Sequence, residues 1–282
     1  SPHYRGERGR KLRGPLWPTA CLLLHAGDMR LLTIPMSHYC EKARWGLTHA
    51  GVDYVEEAHL QLFHYAAVRR HGVGGKVPVL VCAEGVVADS TAILQFLDTR
   101  LPEPRRLYPE ALRAEVEALE EEFDERLGVE TRRWVYYHWM QRPPREVLAT
   151  AAQNIPPWQR GAAPLLFPLF RRYLAQKLAI SAAGVQQGLG VIEQAFDAVA
   201  ARLADGRPYL CGGRFTAADL GFACMASPVL LPPEYGIRLP PPEQAPPQAR
   251  ADVDRFRQHP AGQFALRMFR NHRSEQTITP TV

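Results

Sequence analysis

Beyond Pro109 no run of the chain alternates polar and apolar residues for any length, whereas short alternating runs and helical periods are interleaved between Met29 and Leu101. That division constrains the fold, because a period of two builds half-buried strands and a period near 3.6 builds amphipathic helices. In the front stretch, 30–34 reads as a strand stopped by Pro35. Residues 40–50 carry Ala43, Trp45, Leu47 and Ala50 at helical spacing, and Gly51 supplies the stop. A second strand is expected over 53–60. A third over 77–81 and a fourth over 86–88 are joined through Ala83, Glu84 and Gly85 as a hairpin. A helix over 90–101 places Ile93, Leu94, Leu97 and Leu101 on one face.

The order is β-α-β-(α)-β-β-α. Its opening demands a parallel pair and its close an antiparallel one; one small mixed sheet covered by helices satisfies both, which is the thioredoxin-like arrangement. The predicted front domain is therefore α/β and spans 29–101. Directly after it the pattern changes: Pro102, Pro104 and Pro109 make 102–109 a linker. From 110 to 282 the chain reads as an all-helical bundle. One stripe runs through Leu112, Val116, Leu119, Phe123 and Leu127, another through Val185, Leu189, Ile192, Phe196, Val199 and Leu203. Pro143, Pro144, Pro156, Pro157 and Pro164 break up 141–170, which reads as loop around the core helices. Being apolar and basic at once, and followed by Arg171 and Arg172, it also has the chemistry of a partner or membrane-surface contact. Residues 1–28, with Arg5, Arg8, Arg10, Lys11 and Arg13, read as a leader outside the fold.

The 282 residues suffice for two domains, and 46% hydrophobic with 22% charged residues gives a globular core. No uninterrupted apolar stretch of about 18 residues argues for a membrane span. A net charge of +5 from mixed acidic and basic runs does not argue for nucleic acid. Five cysteines at irregular spacing form neither a disulfide framework nor a zinc motif, so reduced thiols in the cytoplasm, and no metal, are expected.

Four local features carry the chemistry. Ser37 and Cys40 open the first helix, where unpaired N–H groups and the dipole favour an anion; Ser37 serves there either as a simple cap or as a donor to a thiolate. Val77-Pro78 opens the third strand. Asp89-Ser90 opens the next helix, where capping competes with recognition of an amino acid's charged groups. Thr216 and Asp219, flanked by Phe215 and Leu220, resemble a capping box with a hydrophobic staple, a structural device. Trp134, Tyr136, Tyr137, His138 and Trp139 are mostly core, with one or two available to line an apolar pocket.

In this order the features resemble the glutathione transferase family: the Ser37-x-x-Cys40-x-Lys42-x-Arg44 run its first-helix motif, Lys76 to Leu80 its cis-proline loop, Asp89-Ser90 its glutathione clamp, and Thr216 to Asp219 the start of a buried helix. The resemblance implies glutathione as co-substrate, activated by Ser37. Val77 would bond the tripeptide backbone with Pro78 cis, and Asp89 and Ser90 would hold its γ-glutamyl end. Lys76 would take the glycyl carboxylate, ahead of His64 and His71. It also implies detoxifying transfer to a small apolar electrophile and a homodimer. Two alternatives stand beside it: a glutaredoxin-like thiol transferase working through Cys40, and a non-catalytic adaptor on the same fold. His38 departs from the proline often found at its position.

Overall fold

The computed structural model describes residues 29–273 and the backbone of 279–280; the proposed leader, 1–28, lies outside the described residues. The front domain runs β1 (Arg30–Thr33), α1 (His38–Ala50), β2 (Val55–Ala58), α2 (His64–Arg69), β3 (Val79–Cys82), β4 (Gly85–Ala88) and α3 (Ser90–Asp98). The expected order holds, with α1 starting two residues earlier and α3 ending three residues sooner than the pattern suggested. Strand order is β4-β3-β1-β2, with β1 and β2 parallel and the other pairs antiparallel. Ser37 caps α1 and Gly51, at φ 69°, closes it through N–H bonds to the Leu47 and Thr48 carbonyls.

The back domain comprises α4 (Arg113–Glu122), α5 (Gly128–Trp139), α6 (Pro144–Ala151), α7 (Pro157–Lys177), α8 (Ala182–Leu203), α9 (Ala217–Leu230), α10 (Pro247–Gln258) and α11 (Pro260–His272). A π-helical turn, Phe123–Leu127, joins α4 to α5. All of α9 is buried, and α4, α5, α8, α10 and α11 pack around it. Its start is the expected capping box: Thr216 N–H donates to Asp219 Oδ2 at 2.7 Å, and Leu210 N–H to Oδ1 at 2.7 Å. Burial nonetheless raises the Asp219 pKa to about 6.

The back domain is helical as expected, and beyond α11 a two-residue strand β5 (Thr279–Pro280) pairs in parallel with β2 at the sheet edge. One expectation needs correction: 141–170 is not loop. It folds into α6 and most of α7, with Pro164 and Pro168 inside the latter. Proline removes one hydrogen bond from a helix interior, but both of these rings are exposed. The opposite face of α7, with Ala163, Phe167, Phe170 and Leu174, is buried and holds the helix in place.

Candidate functional site

Sheet register brings the candidate residues to one end of the front domain. Leu32 of β1 faces Val79 of β3, and Val79 faces Ala88 of β4. The chain therefore leaves β1 toward Ser37, enters β3 from Val77-Pro78 and leaves β4 into Asp89 at the same edge. Neighbouring strands lie about 4.8 Å apart, so all three points lie side by side at one end of the sheet. Asp89 N–H donates to the Pro78 carbonyl at 3.2 Å, tying two of them directly. The Val77-Pro78 bond is cis.

Ser37 is half-buried, and its Oγ accepts from Cys40 N–H at a long 3.4 Å. Its hydroxyl also lies within hydrogen-bond reach of the Cys40 thiol; rotated outward, it can donate instead to an anion over the opening turn of α1. Asp89 sits at φ 92°, an unusual conformation for a residue with a side chain, and its carboxylate accepts from Thr91 N–H at 2.9 Å and Ala92 N–H at 3.4 Å. It remains exposed, while Ser90 is buried beside it. Lys76 is exposed immediately before Val77.

Other candidates are not brought to this end of the sheet in reactive form. The Cys40 thiol is fully buried and accepts from Ile34 N–H at 3.5 Å; burial pushes its pKa up despite Arg44 and the Ser37 hydroxyl. His64 is buried, bonds the Gly75 carbonyl at 3.2 Å, and has its pKa lowered by burial to about 4, so it is neutral and occupied. His71 is half-exposed on the loop after α2.

Lys42 and Arg44, read from sequence only as parts of a motif, are buried structural ions. Lys42 Nζ lies 2.6 Å from both Glu120 and Asp124, and 2.9 Å from Thr91 Oγ1, joining α1, α3, α4 and the π turn. Burial works against its charge, but the two carboxylates more than offset this and raise its pKa. Arg44 donates to Glu56 at 2.7 Å and Glu41 at 3.3 Å, and Arg273 donates to Glu41 at 2.7 Å. Neither cluster has a signal in periodicity. The one hint is three charged residues in four at the start of a helix whose remaining face is apolar.

His38 explains its own departure from proline. Its Nε2–H donates to the Gly128 carbonyl at 3.0 Å, and the Tyr39 hydroxyl donates to the Asp124 carbonyl at 2.7 Å, so the first turn of α1 is bonded to the π turn and α5. Burial, helped by the nearby Arg132 guanidinium, lowers the His38 pKa to about 3; burial raises that of Tyr39 to about 12. The approach is close enough to require glycine at 128: a Cβ there would lie 2.5 Å from Met225 Sδ and 2.7 Å from the Tyr39 hydroxyl oxygen.

Beside this turn lies a small apolar cavity between the domains, lined by Met36, Val135, Trp139, Ser227, Leu231 and Tyr235 among others. Met36 directly precedes Ser37, so the cavity opens next to the helix end. Of the aromatic cluster, Trp139 lines it, whereas Trp134 is core and donates to Asp252 at 3.0 Å. Sequence reasoning missed Tyr235, whose hydroxyl donates to the Met36 carbonyl at 3.3 Å. Its loop reaches α1 because Gly236 fits against Glu41 and Arg44, where a Cβ would sit 2.5 Å from Glu41 Oε2.

Comparison with known proteins adds the family context. Residues 31–105 match the family model described as glutathione S-transferase, N-terminal domain, and residues 182–256 match glutathione S-transferase, C-terminal domain. Among solved structures, the chain resembles glutathione transferase GSTFuA3 from Phanerochaete chrysosporium at 19% identity and TM-score 0.62, covering 89% of this chain and 99% of that one. It resembles a glutathione S-transferase of Ceriporiopsis subvermispora in complex with glutathione at 18% identity and TM-score 0.60, covering 89% and 100%. A glutathione S-transferase from Sinorhizobium meliloti 1021 aligns at 20% identity and TM-score 0.54, covering 90% and 96%. At such identities the likeness is one of fold. No curated protein sequence matches the chain significantly.

Proposed function

Because the chain belongs to the glutathione transferase family, we propose that it ionises the thiol of glutathione over the opening turn of α1 and transfers the sulfur to an apolar electrophile in the adjoining cavity. Ser37 turns its hydroxyl from the Cys40 sulfur to donate a hydrogen bond to the thiolate. Val77 offers its backbone to the tripeptide, with Pro78 shaping that edge. Asp89 and Ser90 receive the γ-glutamyl end, and exposed Lys76 the glycyl carboxylate. The thiolate attacks the electrophilic carbon, forming an S–C bond. A leaving group departs with its electron pair, and the thiol proton passes to solvent.

The observation that carries this reading is the convergence of Ser37, Val77 and Asp89 on one sheet end beside an apolar cavity. The magnitudes agree. Moving a thiol from a pKa of ~8.5 to ~6.5 needs ~2.7 kcal/mol of preferential thiolate stabilisation. A hydrogen bond to a charged group contributes ~1.5–3 kcal/mol, and a helix N-terminus up to ~1–2 kcal/mol. The Cys40 reading lacks such support, since a buried thiol with a raised pKa is a poor nucleophile.

Steady-state conjugation of glutathione to a generic electrophile tests the proposal. Ser37→Ala is expected to lower kcat/KM by about tenfold or more, with the thiolate absorbance of bound glutathione shifting to higher pH. Unchanged turnover removes Ser37 from the mechanism; failure to bind glutathione at all removes the whole reading.

A further inference from the structure

We propose that the outward face of α7 docks on an anionic lipid surface, as a peripheral contact independent of the glutathione site. Four large hydrophobic side chains stand exposed among the described residues, and three of them belong to this helix: Trp158 at 63%, Leu165 at 85% and Leu169 at 59%. Leu165 follows Trp158 by seven residues and Leu169 by eleven. At ~100° per residue they fall within about 40° of one another, forming a single outward stripe. The stripe is anchored: Trp158 packs edge-on against Phe63 at 5.1 Å, and Leu169 also lines an apolar groove with Leu62, Phe63, Leu166 and Phe170. The opposite face is already used in the core, so α7 is apolar on two sides and only one is covered.

Charge selects the occupant. The helix carries Arg160, Arg171, Arg172 and Lys177 and no Asp or Glu; no acidic residue lies between Glu146 and Glu193. Arg69 of α2 joins the group, lying over the Tyr65 ring whose hydroxyl bonds Tyr173 of α7 at 2.8 Å. Arg69, Arg160, Arg171, Arg172 and Lys177 have no carboxylate partner among the described residues, so this stretch of surface is net positive. A second copy meeting this face about a two-fold axis would oppose cation to cation. Nucleic acid would satisfy the cations but leave the three apolar side chains in water. A bilayer of acidic phospholipids accommodates both, taking Trp158, Leu165 and Leu169 at the acyl boundary and the cations nearest the stripe, Arg172 at about 40° and Lys177 at about 100° from it, among the headgroups, with Arg160 and Arg171 farther round the helix.

Co-sedimentation of the full chain with vesicles tests this, using phosphatidylcholine alone and in equal parts with phosphatidylglycerol. Binding is expected only to the anionic vesicles, weakening as salt shortens the screening length. Leu165→Glu with Leu169→Glu is expected to reduce it by about tenfold or more, and Arg171→Glu with Arg172→Glu to abolish the preference for phosphatidylglycerol, with thermal unfolding and glutathione binding unchanged in both. The surface variants keep α7's buried face, so loss of binding without loss of folding is readable. Wild-type chain that ignores anionic vesicles, or double variants that bind as well as wild type, overturn the proposal. So does vesicle-free self-association lost in the Leu165 and Leu169 variant, or binding to duplex DNA in place of vesicles. Because the readout is lipid binding, the outcome is separate from whether conjugation occurs.

Discussion

Acidification from pH 7 to pH 5 tests the bond between the front and back domains at His38. The ring is 3% exposed, donates to the Gly128 carbonyl, and stands near Arg132 with its pKa lowered from 6.5 to about 3 by burial. In the unfolded chain the same imidazole titrates at 6.5, so below that pH the unfolded state binds more protons and stability rises with pH. The neutral ring's contribution is fully present above about pH 6.5 and is lost progressively as pH falls toward 3. With those two values the loss at pH 5 is roughly 2 kcal/mol, and the full shift of about 3.5 units amounts to roughly 5 kcal/mol. The assay is urea unfolding at pH 7 and pH 5, followed by far-UV circular dichroism, for wild type and His38→Gln. Glutamine retains an N–H donor for the Gly128 carbonyl but does not titrate, and the other histidines are common to both proteins. Wild type is expected to lose about 2 kcal/mol more than the variant between the two pH values. Equal losses, or an imidazole resonance of His38 titrating above pH 6, would refute the reasoning.

Further outcomes follow from the same contacts. Gly128→Ala forces a methyl group against Met225 and Tyr39 and is expected to cost about 1–3 kcal/mol in denaturant unfolding. Lys42→Met leaves Glu120 and Asp124 buried without their cation; a loss of about 3–5 kcal/mol is expected by thermal or chemical unfolding, and a change below about 1 kcal/mol would show that the cluster is not the interdomain tie it resembles. Cys40→Ala is expected to leave conjugation within about twofold of wild type, since the thiol faces the core; loss of turnover without loss of folding would revive a reactive role for Cys40.

The order of strands and helices in the front domain was legible because each element there is short, separately punctuated by Pro35, Gly51 or the Ala83–Gly85 turn, and carries its own period. The same holds for the capping box at Thr216 and Asp219, a device made by residues three apart. Ser37, Pro78 and Asp89 stand out in the sequence for a related reason: each immediately precedes an element, where local backbone geometry restricts what is accepted. What sequence left open was decided by contacts between residues far apart in the chain. Whether Lys42 and Arg44 are solvated or buried depends on carboxylates brought by α4, β2 and the π turn. His38 is a neutral donor only because Gly128 lets α5 approach. Pro164 reads as a breaker, yet it and Pro168 lie inside α7, because tertiary packing of Phe167, Phe170 and Leu174 supplies more stabilisation than two missing hydrogen bonds remove. Local punctuation is written in the neighbouring residues; burial is set by whichever partner the fold delivers, and no window of sequence contains that partner.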